Sequence, residues 1–494
     1  MSLACFLGVD VGTQGVRVVL TDELGKILGS EEIKTFRRSP QAASYRVSQN
    51  PDEWWEAAQE CLGRLLSAQP SRLKDSIQAI SVTSTSGTVI PLDKDNRPLS
   101  DAIMYSDTRQ EAEGKLCREL ALQHHPSGYT GFNASSGLPK MVWFVKNYPE
   151  QAAFIKTWIH AADYLTGKLC GNFRTTDHTN ALKSGYDLTA DAWPEYLTRY
   201  LPLQESWLQE VVPPGTFLGP VIAELQARWG LPAVQVVAGM TDGCASQVAS
   251  GAVSPGDWNT TIGTTLVVKG VTKQQILDPQ GRLYCHRHPQ GYWMPGGASN
   301  TGADWISEDF GDELEAMNRV AATLIPTGFS VYPLRQKGER FPFIDLAAQG
   351  FTDPAITRRE QLFAAGLEGV AYIEKLSYEL VETLSGEEVT AVYSSGGGAN
   401  STVWMKIRAN VLGRPVYKMS HTSGALGAAV VAASQVYFSN LTEAAGAMTH
   451  PEKCFEPEAS LTEAYETYYA NFRIEMKRRG YLEDSANRNP ERVT

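Results

Sequence analysis

No stretch of the chain reads Gly-x-x-x-x-Gly-Lys-Ser/Thr, so the phosphate-cradling P-loop is absent. The first glycines fall at Gly8, Gly12 and Gly15, which is not the Gly-x-Gly-x-x-Gly of a dinucleotide site. There is no Gly-x-Ser-x-Gly nucleophile elbow either. No apolar run approaches the ~20 residues that a membrane span needs, and the N-terminus lacks a basic segment leading into an apolar core. Neither a membrane anchor nor a secretory signal is therefore expected. Positive charge is scarce: Lys and Arg total 44 against 55 Asp and Glu, a net charge of -11, which argues against a large nucleic-acid surface. The seven cysteines are scattered with no Cys-x-x-Cys pair, the pattern of reduced thiols in a cytoplasmic protein. Cys285, His286 and His288 stand close together, but three such residues in a β-prone segment are more often incidental than a zinc site.

What is present is an ordinary globular composition, 43% hydrophobic and 20% charged over 494 residues, too long for one core, so at least two domains are expected. The stretch Phe6 to Arg17 draws the eye first. An apolar run from Cys5 to Val9 delivers one carboxylate, Asp10, into a turn of Gly12, Thr13, Gln14 and Gly15, and a second apolar run follows. This pattern reads as a β-hairpin. Backbone N–H groups in such a turn suit a phosphate, and Asp10 suits a hydrated magnesium ion. An ordinary surface hairpin fits these residues equally well.

Further on, Asn50-Pro51-Asp52-Glu53 starts a helix with a cap, a helix-start proline and early acids, and Trp54, Trp55, Ala58 and Leu62 fall on or near its core face. A strand from Ile77 to Val82 ends in the hydroxyl-rich Thr83-Ser84-Thr85-Ser86-Gly87-Thr88. An apolar run ending at Tyr105 leads into Ser106-Asp107. These residues are either turn chemistry or a rim for a polyhydroxylated ligand. Val234 to Ala238 is a strand running into Asp242 at a helix start, where the dipole favours an ionised carboxylate and where an N-cap aspartate is also common. Past a turn at Ser254–Asp257, Trp258 to Val268 repeats the logic of the opening around Gly263, Thr264 and Thr265, which suggests a duplicated architecture. A glycine loop, Gly396 to Asn400, follows a strand and precedes a helix, where missing side chains allow close ligand approach. The terminal stretch from Glu483 to Thr494 is polar and expected to fray.

Asp10-x-Gly-Thr, Asp242, the Gly263-Thr264-Thr265 turn and the Gly396-Gly397-Gly398-Ala399-Asn400 loop, in this order and at these separations, resemble the FGGY carbohydrate kinases. That family lies within the superfamily of actin, hexokinase and the heat-shock chaperone ATPases. Lys140-Met141-Val142-Trp143, Asn300 to Trp305, Gly338 to Pro342 and Leu367 to Ala371 agree with it, and the resemblance covers about residues 5 to 450. The chain departs from the family signature at Gly137 and again after Val370.

The resemblance implies an α/β protein of two ribonuclease H-like (actin/hexokinase-like ATPase) domains with a central cleft. It implies a sugar-binding domain at 1–253, an ATP-binding domain at 254–450, and a C-terminal helix and polar tail at 451–494. Gly263, Thr264 and Thr265 should meet the phosphates of ATP, and Gly397, Gly398 and Asn400 the adenosine. Asp10, Gly12, Thr13 and Gln14 should face the γ-phosphate. Asp242 matches the catalytic aspartate, and Mg2+ would be held by Asp10 and Asp242, through water. Ser86, Gly87, Tyr105 and Asp107, with Asp242, should line the sugar.

Where many xylulokinases carry Gln-Met-His-Gly, this chain has Thr85-Ser86-Gly87-Thr88. Met104 to Asp107 and Thr176 to Asp187 look closer to the D-ribulose kinase-like group. A ketopentose substrate is therefore expected, D-ribulose before D-xylulose, phosphorylated at its terminal hydroxyl. The resemblance implies a cytoplasmic enzyme, of a family in which homodimers are frequent. The rival classes are a chaperone-like ATPase of the same superfamily and a sugar-binding regulator. The first would not need Asp242 or the hydroxyl-rich turn, and the intact Asp10 and Asp242 argue against the second.

Overall fold

The computed structural model describes residues 3–34 and 45–482; the polar tail from Glu483 lies outside them. The chain forms two compact units. Among the described residues, the first comprises those up to Gly251 together with His286–Gly291 and His421–Thr449; the second comprises Ala252–Cys285, Tyr292–Ser420 and the chain from His450 to Leu482. The segment His421–Thr449, which the sequence reading places with the C-terminal half, thus belongs to the first unit.

The first unit is built on a six-stranded sheet in the order Phe217–Pro220, Gln235–Thr241, Ile77–Ser84, Cys5–Gly12, Gly15–Asp22, Ile27–Ile33. Cys5–Gly12 and Gly15–Asp22 pair as the expected antiparallel hairpin. Cys5–Gly12 runs parallel to Ile77–Ser84, which runs parallel to Gln235–Thr241. The opening strand is apolar almost throughout because both of its faces are covered: Leu7 and Val9 lie in a core with Trp54, Leu62, Ile80 and Tyr164. The helix supplying Trp54, Pro51–Ser67, starts where its cap signals placed it, with Asp52 N donating to Asn50 Oδ1 at 3.0 Å.

The second unit carries a seven-stranded sheet. Leaving out its edge strand Tyr284–Arg287, the order is Trp293–Ala298, Leu266–Gly270, Asp257–Ile262, Ala391–Ser395, Val416–Met419, Pro451–Phe455. Strand for strand, the senses of pairing repeat those of the first unit. An antiparallel hairpin is extended on one side by an antiparallel strand and on the other by two parallel strands and a final antiparallel one. The duplication suggested by two short threonine-glycine turns is therefore present in the topology. The core of this unit gathers Trp258, Phe363, Tyr372, Trp404 and Phe472.

The helix Gly424–Ala433 has all ten residues buried, which its composition of glycine, alanine, valine and leucine allows. Small residues let it seat backbone on backbone. A Cβ on Gly8 would overlap the Ala425 carbonyl oxygen, and one on Gly427 would overlap that of Ala245.

Candidate active site

In the first unit three parallel strands end side by side. Asp10 is level with Thr83, and Thr83 with Met240. Two residues beyond Met240 the chain enters the helix Asp242–Ala249, so Asp242 occupies its first position. Its Oδ1 accepts a hydrogen bond from Gly243 N at 2.7 Å. Asp10 and Asp242, predicted separately from distant segments, are thereby brought into one neighbourhood. Burial pushes the Asp10 carboxyl up to about 7, the negative charge of Asp242 adds to the rise, and Arg17 opposes it.

The turn beyond Asp10 joins Gly12 to Gly15 through Thr13 and Gln14, neither of which is left-handed. A Cβ on Gly12 would find nothing nearer than the Gly15 carbonyl oxygen at 3.9 Å, so the space above that residue is open. Gln49 braces the turn, donating from Nε2 to the Thr13 carbonyl at 2.9 Å while its Oε1 accepts from Trp54 Nε1 at 2.9 Å. Asp10 meets a second element that sequence reading missed. A Cβ on Gly424 would stand 2.7 Å from Asp10 Oδ2, at the start of the helix capped by Ser423.

The hydroxyl-rich loop follows the strand Ile77–Ser84. Thr85 Oγ1 and Thr88 Oγ1 are 2.8 Å apart, and Thr88 Oγ1 accepts from Tyr105 N at 3.1 Å. Ser86 Oγ is buried without a hydrogen-bond partner, a loss that a polar ligand would repair. Gly87 has φ +77°, and any Cβ there would overlap the Ser135 carbonyl oxygen. Lys140 fixes that neighbouring loop, donating from Nζ to Ala134 O at 2.7 Å and Ser136 O at 3.1 Å; burial brings its ammonium down to about 7.

Tyr105 is exposed. Asp107 is fully buried, and both its oxygens are engaged. Val47 N donates at 2.8 Å, Gln110 Nε2 at 2.9 Å, and the Arg109 side chain at 2.8 to 3.0 Å. Burial works to raise its pKa, but these donors outweigh it and hold the carboxyl below its ordinary value.

In the second unit the strands Asp257–Ile262 and Ala391–Ser395 end together, Thr261 level with Ser395. The glycine loop consequently folds onto the end of the first strand. Gly396 has φ +79°, and its absent Cβ would lie 2.5 Å from the Ile262 carbonyl oxygen; a Cβ on Gly398 would lie 2.8 Å from Ile262 Cβ. Gly263 and Gly397 have nothing within 4 Å of a Cβ position. Thr264, Gly397 and Asn400 are exposed, and Thr265 is half-buried. The loop does not open directly into an α-helix. A short 3-10 turn, Gly397–Asn400, intervenes, and Ser401 caps the helix Thr402–Leu412 by accepting from Trp404 N. Glycine-rich turns at the carboxyl ends of adjacent parallel strands are where open α/β sheets bind ligands.

Among the described residues no group of three or more His, Cys, Asp or Glu could hold a metal ion, and no helix is long and apolar enough to cross a membrane.

Known proteins match this arrangement. The N-terminal domain of the FGGY family of carbohydrate kinases matches residues 5–249, and its C-terminal domain matches residues 258–436. A gluconokinase of Bacillus licheniformis is 27% identical over 450 residues, 86% of each chain. A xylulose kinase of Bacillus subtilis is 26% identical over 484 residues, 94% of this chain and 95% of the other. The crystal structure of a xylulose kinase from Rhodospirillum rubrum superposes with a TM-score of 0.84 at 25% identity, covering 96% of this chain and 98% of that one.

Proposed function

The chain belongs to the FGGY family of carbohydrate kinases, and from that premise we infer that it transfers the γ-phosphate of ATP to the terminal primary hydroxyl of a ketopentose, D-ribulose, with D-xylulose as second choice. The observation that carries this reading is the pair of carboxylates, Asp10 and Asp242, at the ends of registered parallel strands in the first unit.

Asp242 is the base. It accepts a hydrogen bond from the sugar hydroxyl, orients that oxygen, and takes its proton as the O–P bond forms and ADP departs. Asp10 is the metal-side carboxylate. Two acidic groups so close that one raises the other's pKa are suited to a divalent cation with hard oxygen ligands. Asp10 and Asp242 would hold magnesium through water. When bound, the ion supplies neutralisation of phosphate charge. Gly12, Thr13 and Gln14 offer backbone donors to the γ-phosphate. Gly263, Thr264 and Thr265 do the same for the other phosphates, while Gly397, Gly398 and Asn400 leave room for the adenosine.

Ser86, whose buried hydroxyl lacks a partner, and Tyr105 face the sugar. Asp107, its oxygens already taken, supports that loop from behind. Gly87 is part of the preference for D-ribulose. Its backbone conformation and the adjoining Ser135 carbonyl leave no place for a side chain, and the surrounding short stretches look closer to D-ribulose kinase-like proteins.

The test is ADP release from ATP and magnesium in the presence of D-ribulose, D-xylulose, D-gluconate or glycerol. D-Ribulose is expected to give the highest kcat/KM. Stimulation by D-gluconate alone would remove the ketopentose reading, and stimulation by none of them would remove the sugar-kinase reading for this chain. Asp242→Ala is expected to lose turnover by several orders of magnitude while retaining ATP binding.

A further inference from the structure

Asp242 opens its helix, yet the residue before it, Thr241, makes no side-chain cap. The backbone N–H of Thr241 donates instead to Thr179 Oγ1, at 2.8 Å. The Thr179 hydroxyl in turn donates to Asp177 Oδ1 at 2.5 Å. That carboxylate is locked by Thr179 N at 2.7 Å and Asn180 N at 3.2 Å on Oδ1, and by Asn180 Nδ2 at 2.5 Å on Oδ2. Asp177, Thr179 and Asn180 are at most 1% exposed.

A hydroxyl is both donor and acceptor, and its rotor is free unless something fixes it. Here an ionisable acceptor fixes the proton on one side, which directs the oxygen lone pairs at the Thr241 N–H. Burying a carboxylate for this purpose is costly: burial pushes Asp177 up to about 6, with the charge of Asp163 adding to the rise.

We propose that Thr179, oriented by Asp177, is a positioning residue for Asp242, fixing the point at which the strand Gln235–Thr241 turns into the helix. The proposal rests on the reading of Asp242 as the base. Neither Thr179 nor Asp177 needs to touch the sugar or ATP. The relationship acts through one backbone N–H, so it sets where the carboxylate stands relative to the attacking oxygen. Displacements of about 1 Å can cost on the order of 100-fold in rate.

Thr179→Val keeps the volume and removes the hydroxyl; Thr179→Ser keeps the hydroxyl. Both are compared with wild type and Asp242→Asn for ADP release with saturating D-ribulose, D-xylulose and D-gluconate in turn, alongside melting temperature and the KM for ATP. Thr179→Val is expected to lower kcat roughly 10- to 100-fold with the KM for ATP unchanged, and Thr179→Ser to recover most of the rate. A helix cap of purely structural importance would move the melting temperature without that split. A folded Thr179→Val enzyme with wild-type kcat overturns the proposal. If Thr179→Val does not fold, Asp177→Ala decides. It removes the acceptor that fixes the Thr179 hydroxyl, so wild-type kcat there also overturns it. An active Asp242→Asn enzyme would instead refute the base assignment. An inactive Asp242→Asn beside an unimpaired Thr179→Val refutes only the positioning role.

Discussion

Gly424 stands against Asp10 so closely that a Cβ would lie 2.7 Å from Oδ2 and 2.9 Å from Cγ. The carboxylate therefore occupies the space of a missing side chain at the start of the helix Gly424–Ala433. Alanine is a better helix former than glycine, so Gly424→Ala has no reason to weaken the helix itself. It must instead move Asp10. The expected result is a melting temperature close to that of wild type, with kcat lowered roughly 10- to 100-fold through misplacement of the carboxylate. Steady-state kinetics at saturating ATP and magnesium decide it, and unchanged kcat would show that Asp10 has room to spare.

The same carboxylate makes stability depend on pH. Native Asp10 holds its proton up to about 7, whereas the ordinary carboxyl value is 3.8. Between those values the native state binds more protons than the unfolded state, so stability falls as pH rises. The penalty is complete above about pH 7 and absent below about pH 4. Asp10→Asn has no such penalty. In the absence of nucleotide and metal it should be more stable than wild type at about pH 8, by on the order of 1–3 kcal/mol, with the gap closing towards about pH 5. Urea midpoints across that range provide the measurement; parallel curves for the two proteins would contradict a destabilising buried charge.

Much of this site is legible in the chain because its signals are local. Asp10, the Gly12–Gly15 turn, Asp242 at a strand-to-helix junction and the two hairpins follow from apolar runs interrupted by glycine and hydroxyl residues. The features that escaped are long-range. Nothing near Gly424 marks it as Asp10's neighbour, because glycine before an alanine-rich helix also reads as ordinary packing. The tie from Thr179 to Thr241 joins segments 62 residues apart through a single side chain. Asp107 shows the converse limit. A carboxylate in a hydroxyl-rich stretch reads as ligand-facing, and only the fold reveals that Val47, Arg109 and Gln110 already occupy it. The assignment of His421–Thr449 to the first unit was equally hidden, since small-residue helices carry no sign of what they pack against.

Adjacent glycines in the second unit should separate folding from nucleotide binding. Gly396 is left-handed, at φ +79°, and its Cβ would lie 2.5 Å from a backbone oxygen. Gly396→Ala should therefore destabilise by about 1–3 kcal/mol. Gly397 opens onto space with nothing within 4 Å, so Gly397→Ala should fold as wild type yet raise the KM for ATP several-fold if the adenosine rests there. A Gly397→Ala enzyme with unaltered KM for ATP would move the nucleotide away from this loop.

Beneath both turns of the second unit lies a fully buried ion pair. Arg408 Nε donates to Glu374 Oε2 and Arg408 Nη2 to Glu374 Oε1, each at 2.7 Å, with both side chains 0% exposed. The pair reaches both strands that carry the glycine turns: Thr260 Oγ1 donates to Glu374 Oε1 at 2.6 Å, and Arg408 Nη1 donates to Ser394 Oγ. A buried pair of this kind contributes little net stability over a well-packed apolar replacement, but removing one partner strands the other charge. Glu374→Met and Arg408→Met should each cost about 3–5 kcal/mol, whereas the two together should cost less than the sum of the single losses. Because the strands run directly into Gly263 and Gly396, a folded single variant should also bind ATP more weakly, as both turns lose their shared anchor. Urea denaturation over the double-mutant cycle gives the coupling directly. Additive losses would mean that the two side chains act independently, and that the turns are held by the strand ladder alone.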